Sequence, residues 1–390
     1  MAVDLTPRIG KPVVTSTTGE VVRAYVPQPL PPQPPLDLGR LIDLIERANQ
    51  SLGRLDGIAT ILPSPSLFIY MYLRKEALLS SQIEGTQSSL SDLLMFENDD
   101  APIALLDDVR EVSNYVAAMH HGLKRLADGF PMSLRLIREL HQELMLKGRG
   151  STKLPGEFRH SQNWIGGTRP GNARFVPPPP GQALETCLSE FERFLHYPTY
   201  SPLIRSALMH VQFETIHPFL DGNGRLGRLL ITLLLCDEKV LAEPILYLSL
   251  YFKTHRTRYY ELLQIVRDQG DWEAWIEFFL HGVIETSKQG VATAKQLQTL
   301  FRDDAAKITE LGRPAASALR VHIELQRTPI LPVLELAKRL QLSQPTIQKS
   351  IEHLLNLDIV TEITGKRWRR LYRYQRYLDI LDQGTEPIPR

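Results

Sequence analysis

Twelve consecutive residues, His217-Pro218-Phe219-Leu220-Asp221-Gly222-Asn223-Gly224-Arg225-Leu226-Gly227-Arg228, gather the residue types that nucleotide chemistry uses. His217 can accept a proton near neutral pH. Asp221 is a hard oxygen donor of the kind magnesium takes alongside phosphates. Gly222, Asn223 and Gly224 tolerate positive φ and can aim successive backbone N–H groups at an anion. The apolar run Leu229 to Cys236 reads as a helix, and its start adds unpaired N–H groups and a positive dipole end. Arg225 and Arg228 supply forked donors that match phosphate oxygens. Any one piece is an ordinary loop feature. Together they suit a nucleotide bound with a metal.

A second stretch holds a carboxylate. Ser80 and Glu84 are four apart, so they share one helix face. Gly85 is placed to stop that helix just after Glu84. A glutamate at a helix C-terminus opposes the macrodipole, which points to a cationic partner.

The string His217 to Arg228 resembles the Fic family motif, H-P-F-x-D/E-G-N-G-R-x-x-R, at every specified position. Ser80 to Gly85 is similar to S/T-x-x-x-E-G/N, the inhibitory-helix motif of many Fic proteins. The resemblance implies a protein adenylyltransferase that moves AMP from ATP to a Tyr, Thr or Ser hydroxyl of a target protein. It implies His217 as the base, Asp221 as the Mg2+ ligand, and Gly222, Asn223, Gly224, Arg225 and Arg228 on ATP. Tyr259 and Tyr260 would line the adenine pocket. Ser80, Glu84 and Gly85 would be regulatory, with Glu84 on Arg228 keeping the γ-phosphate from seating. In some Fic proteins the same glutamate positions a water for AMP removal, so a bifunctional or dedicated de-AMPylase is the alternative, as is a DNA-binding regulator with a minor Fic activity. Phosphorylation, as in the related Doc proteins, is disfavoured because those carry lysine where Gly224 stands.

The elements that must position these residues are mostly helical. Residues 1–37 look irregular and rich in proline, with a polyproline-like run from Tyr25 to Pro35. Helical periodicity begins near Leu38, breaks at Pro63–Pro65, and resumes from about Ser66 to Gln82. Further helices are expected at Asp107–Leu126, at Leu134 to about Lys147 behind a Ser133 cap, at Gln182–Leu195 and at Pro202–Ile216, the last delivering the chain to His217. Two short β-prone runs around Gly166 and Gly167 predict a hairpin over 163–176. The resemblance makes that hairpin a flap that aligns an extended target segment. Asp271 to Phe279 reads as one helix and 286–326 as a helical stretch leading out of the core. Val333–Leu340 and Gln344–Leu357, capped by Ser343, form a helix–turn–helix. Two β runs that follow complete what resembles a winged helix. Its wing holds Lys366, Arg367, Trp368, Arg369, Arg370, Arg373 and Arg376 without an acid between. That suits DNA, although such modules also serve protein contacts, and both stay open.

The expected fold class is therefore mainly α: a Fic helical core with a small β-hairpin flap, plus a C-terminal winged helix-turn-helix domain. The divisions are a proline-rich arm (1–37), a helical region with the inhibitory helix (38–105), the catalytic core (106–285), a helical linker (286–326) and the winged helix (327–390). The chain has 390 residues, long for one domain, with 45 basic against 44 acidic side chains. It is not a polyanion binder over its whole surface. Two cysteines, Cys187 and Cys236, form no zinc pattern and suit a reducing compartment. The expected location is the cytoplasm, without membrane contact. Expected partners are the target protein at 163–176, DNA at the C-terminal module, and a second copy of the chain in a homodimer.

Overall fold

The computed structural model describes residues 4–61, 65–97, 106–365 and 370–388, with backbone alone at 59–61 and 65–68. The chain is mainly α-helical. At its centre lie α7 (Pro202–Ile216) and α8 (Asn223–Asp237), joined by the loop that carries His217. Almost every residue of both is buried. For α8 the cause is composition: Leu229 to Cys236 is apolar all round, and such a helix has no face for water. Helices α2 (Pro65–Ile83), α4 (Leu106–Ala127) and α5 (Leu134–Leu144) pack on α8, and the short α3 (Leu90–Phe96) packs on α4. Helices α6 (Gln182–Leu195) and α10 (Arg256–Gln269) pack on α7. The Ser133 hydroxyl caps α5 by accepting from the Leu136 N–H at 3.3 Å.

Four findings depart from the sequence expectations. First, the N-terminal stretch is not irregular throughout. Strands β1 (Lys11–Thr17) and β2 (Glu20–Val26) form an antiparallel hairpin. Thr18 and Gly19 both have positive φ, 48° and 80°, as a tight two-residue turn demands. The β-branched residues Val13, Val14, Thr15, Val21 and Val22 carried that signal. Arg8 anchors the segment: it is buried and donates to both carboxylate oxygens of Glu273, at 2.7 and 3.0 Å.

Second, 163–176 is less of a hairpin than expected. Ile165 and Phe175 make one isolated antiparallel bridge. The tip is a Pro170–Asn172 turn held by the Asn172 side chain, which accepts from the Thr168 and Arg169 N–H groups. Strand β2 runs beside it. The Tyr25 N–H donates to the Val176 carbonyl at 2.8 Å, and Glu20 accepts from the Gly171 N–H at 2.9 Å. Val22, Ala24 and Val176 are buried between them.

Third, the chain from Trp272 to Thr309 is one 38-residue helix, α11, where two helical stretches were expected. Helix α1 (Ile42–Ile61) lies along it. The break around Pro63 falls on 62–64, outside the described residues.

Fourth, the C-terminal part holds one helix more than expected. After α12 (Ala315–Arg327) come β3 (Ile330–Pro332), α13 (Val333–Leu340), α14 (Gln344–Asn356), β4 (Thr361–Glu362) and β5 (Leu371–Arg373). Strand β5 is central in the order β3-β5-β4. Helix α15 (Gln375–Leu381) then packs on α11. The basic residues expected in a wing, Lys366 to Arg369 with Trp368, lie outside the described residues.

Candidate active site

The loop between α7 and α8 is shaped by side chains that never touch solvent. His217 ends α7 in the left-handed conformation, at φ 47° and ψ 61°, a state that costs a non-glycine residue about 1–2 kcal/mol. Arg159 holds it there. This buried arginine donates from Nε to the His217 carbonyl at 3.0 Å and from Nη2 to the Pro178 carbonyl. Asn223 closes the loop on itself. Its side chain accepts from the Phe219 N–H and donates to the Phe219 carbonyl, each at 2.9 Å. His141 of α5 stacks on Phe219 at 3.7 Å between ring centroids. Its Nδ1 accepts from the Gly156 N–H at 2.9 Å, so Nε2 carries the proton and donates to the Asp221 carbonyl at 3.0 Å.

The result is a cleft of about 280 Å³, lined by Glu84, Arg149, His217, Asp221 and the Gly222–Gly224 turn. Gly222 sits at φ 77°, and a Cβ there would be 2.7 Å from Met145 Sδ. Burial and the positive charges of Arg159 and Arg267 push the His217 imidazole down to about 3. It is therefore neutral at pH 7, the form that can take a proton.

Arg228, in the second turn of α8, is buried and held by the end of α2. Its Nε donates to Ser80 Oγ at 2.9 Å, and its Nη2 donates to the Ser80 carbonyl at 2.9 Å and to Glu84 Oε1 at 2.8 Å. Ser80 and Glu84 reach it because α2 presents both on one face, and Gly85, at φ 101°, ends the helix there. Burial works to raise the Glu84 pKa, but the Arg228 guanidinium overrides it and holds the carboxyl below its usual range. The same carboxylate lies against Gly224: a Cβ there would be 2.2 Å from Glu84 Oε1. Glu84 thus occupies the anion turn and its arginine at once. A third of its side chain stays open to solvent.

Three of the other expected site residues, Arg225, Asn223 and Tyr259, have their side chains committed elsewhere. Arg225 is buried and donates to Glu111 Oε2 at 2.8 Å, so its guanidinium serves an internal ion pair. The Asn223 side chain is a brace, leaving only its backbone N–H for a ligand. Tyr259 is a core residue. Its hydroxyl pairs with His210 Nε2 at 2.9 Å, and its ring packs on Phe252 and Trp275. Tyr260 beside it is only partly buried, and Arg256 lies over its ring. Asp221 has an open carboxylate, two-fifths exposed in the cleft, with Oδ1 accepting from the Gly222 N–H at 2.6 Å. Among the described residues no group of three or more His, Cys, Asp or Glu surrounds a metal position. One exposed carboxylate still fits magnesium, which keeps waters and takes its other ligands from substrate phosphates.

Sequence reading passed over Arg149, Arg159, His141 and Glu111. Arg149, half exposed at the cleft, bonds Glu111 and approaches the Glu84 carbonyl at 3.4 Å. Only the fold brings Arg159 under His217.

Residues 42–124 match the model of the Fic/DOC family N-terminal region, and 131–235 that of the Fic/DOC family. Two neighbouring regions of this chain are thus those of the Fic/DOC family. Proteins named protein adenylyltransferase Fic, from Drosophila erecta and Drosophila yakuba, are each 32% identical over 176 residues, which is 44% of this chain and 32% of theirs. The chain thus spans about a third of the length of the curated relatives it matches. A Fic family protein from Desulfovibrio desulfuricans G20 has the same fold, with a TM-score of 0.56 at 21% identity over 86% of this chain and 95% of that one. A Fic domain-containing signaling protein from Bacteroides thetaiotaomicron shares it at 0.53 and 16% identity, over 64% and 97%. At these identities the likeness is one of fold. No helix among the described residues is long and apolar enough to cross a membrane.

Proposed function

We propose that this chain is a protein adenylyltransferase of the Fic/DOC family, held in a resting state by Glu84. The observation that carries the proposal is the convergence of His217, Asp221 and the Gly222–Gly224 turn on one cleft, with Arg228 beside it. The curated relatives that bear the activity in their name support the class of reaction.

ATP lays its phosphates on the backbone N–H groups that open α8, where the helix dipole favours anions. Asp221 would hold a magnesium ion, which neutralises phosphate charge when bound. Arg228 takes the terminal phosphate once Glu84 has moved away. A target hydroxyl then attacks the α-phosphorus in line. A new oxygen–phosphorus bond forms, the bond to the β-phosphate bridge breaks, and pyrophosphate leaves with the electron pair. The neutral His217 takes the hydroxyl proton. Its low resting pKa rises when phosphate charge arrives, because a nearby anion favours the imidazolium. Positioning and charge neutralisation do most of the work. Tyr260, not the buried Tyr259, faces the adenine. The target segment aligns beside residues 163–176, at the 163–165 limb, since β2 lines the other limb.

Two labels test this. With ATP labelled at the α-phosphate, target or autologous label is expected; with γ-labelled ATP, none. Label from the γ position would mean phosphorylation and would overturn the reading.

The exposed third of Glu84 favours one further activity, since a carboxylate open to the cleft can orient a water. Purified modified target, incubated with wild type and with Glu84→Gly, should lose AMP only with wild type. Equal loss would remove that role.

A further inference from the structure

The last turn of α2 is gripped from two sides. Ser80 and Glu84 hold Arg228. Gln82 projects about 200° around the helix from Ser80, and it is fully buried under the segment that follows α15. That segment, residues 382–388, comes back across the molecule and is held through its main-chain carbonyls. Lys75 donates to the Gln383 carbonyl at 2.8 Å. Gln82 donates to the Thr385 carbonyl at 2.7 Å and to the Ser88 carbonyl at 3.1 Å. Lys253, on α9 (Ser249–Thr254), donates to the Gly384 carbonyl at 3.1 Å, to the Glu386 carbonyl, and to Gln82 Oε1 at 2.8 Å. Gln87 reaches the Ile388 carbonyl at 3.4 Å. Thr385 is buried, and Gly384, at φ 80°, lies so close to Leu250 that a Cβ would be 2.9 Å from its Cδ1.

We propose that the surface made by the end of α2, the following loop and α9 is a peptide-docking groove, that residues 382–388 are its occupant, and that this occupant locks Glu84 on Arg228. The regulatory half rests on the autoinhibited reading above, whereas the docking half does not. Three observations support the assignment. The donors address backbone carbonyls, which is how an extended peptide is captured with little demand on its side chains. Lys75 and Gln82 are almost fully buried, and the carbonyls of this segment satisfy donors that its own packing takes out of water. The segment is also continuous with α15 and the C-terminal helices. Any partner that pulls on that end of the molecule therefore acts on the turn that carries Glu84.

The test uses a chain ending at Leu381, the full-length Lys253→Met protein, and a synthetic peptide of residues 382–390. The Glu84, Gly85 and Thr86 N–H groups report on the turn, because they donate to the Ser81, Gln82 and Ser81 carbonyls. Both variants should exchange these amides faster than wild type, and AMP transfer should rise at least about fivefold. Added peptide should reverse both effects in the shortened chain. Wild-type exchange at these amides in Lys253→Met and in the shortened chain would overturn the docking groove. Faster exchange without faster transfer, in a protein that Glu84→Gly does activate, would overturn the lock alone. If Glu84→Gly fails to activate while exchange still rises, the autoinhibited reading falls and the groove stands.

Discussion

Arg228 is a buried cation with one removable anion. Glu84 is its partner in the resting form, and a phosphate is its partner in the proposed reaction. The sign of the Glu84 titration matters. Its folded pKa lies below the ordinary value, so its contribution is present above the ordinary carboxylate range and is lost only as pH falls through the lower folded value. The rate ratio of Glu84→Gly to wild type should therefore stay flat across roughly pH 6–8. A ratio collapsing toward one at the acid end of that range would show a carboxylate that protonates easily. His217→Ala in the Glu84→Gly background should cut transfer by at least ~100-fold, with ATP affinity nearly unchanged. Retained labelling would take the base role away from His217. Gly224→Ala reads the anion turn. Its Cβ would crowd Glu84 Oε1 at 2.2 Å and Arg228 Nη1 at 3.2 Å. In the Glu84→Gly background only the second contact remains, and a drop of about 10–100-fold in transfer is expected from misplaced phosphate.

The elements explain why much of this was legible. The motif lies within one helix–loop–helix unit, so its own spacing brings His217, Asp221 and Gly224 together. Ser80 and Glu84 could be paired because a helix repeats every 3.6 residues. Their partner, 148 and 144 residues away, came from the family resemblance and not from periodicity. Arg159 and His141 were not legible, because their roles consist of donating to main-chain carbonyls on a distant loop. No residue type advertises that. The helix formed by 272–309 was missed as a unit because its buried face changes partner along its length. Asn223 belongs to this scale too. Asn223→Ala removes both bonds to Phe219 in a buried site and should destabilise the chain by about 1–3 kcal/mol. A chemical-denaturation midpoint close to wild type would mean that the loop holds itself without this brace.

Across the whole molecule, segments far apart in sequence converge on the core. The N-terminal hairpin was overlooked because the prolines after it dominated the reading of 1–37, although β-branched residues cluster on both sides of Thr18 and Gly19. Arg8 ties that segment to α11 through a pair buried on both sides. Arg8→Ala should cost about 3–5 kcal/mol, since it strands the Glu273 charge. A melting temperature within a degree or so of wild type would contradict that. The 382–388 segment closes on α2 from the other end of the chain, and nothing in its composition announced this. In the proposed lock, the 382–388 segment steadies the turn that carries Glu84 through Gln82. The most direct measurement is the initial rate of AMP transfer from α-labelled ATP by wild type and by Glu84→Gly, side by side at saturating ATP. We predict a rate about 5–150-fold higher for the variant, abolished when His217→Ala is added. Equal rates would contradict the central claim that Glu84 holds this protein at rest.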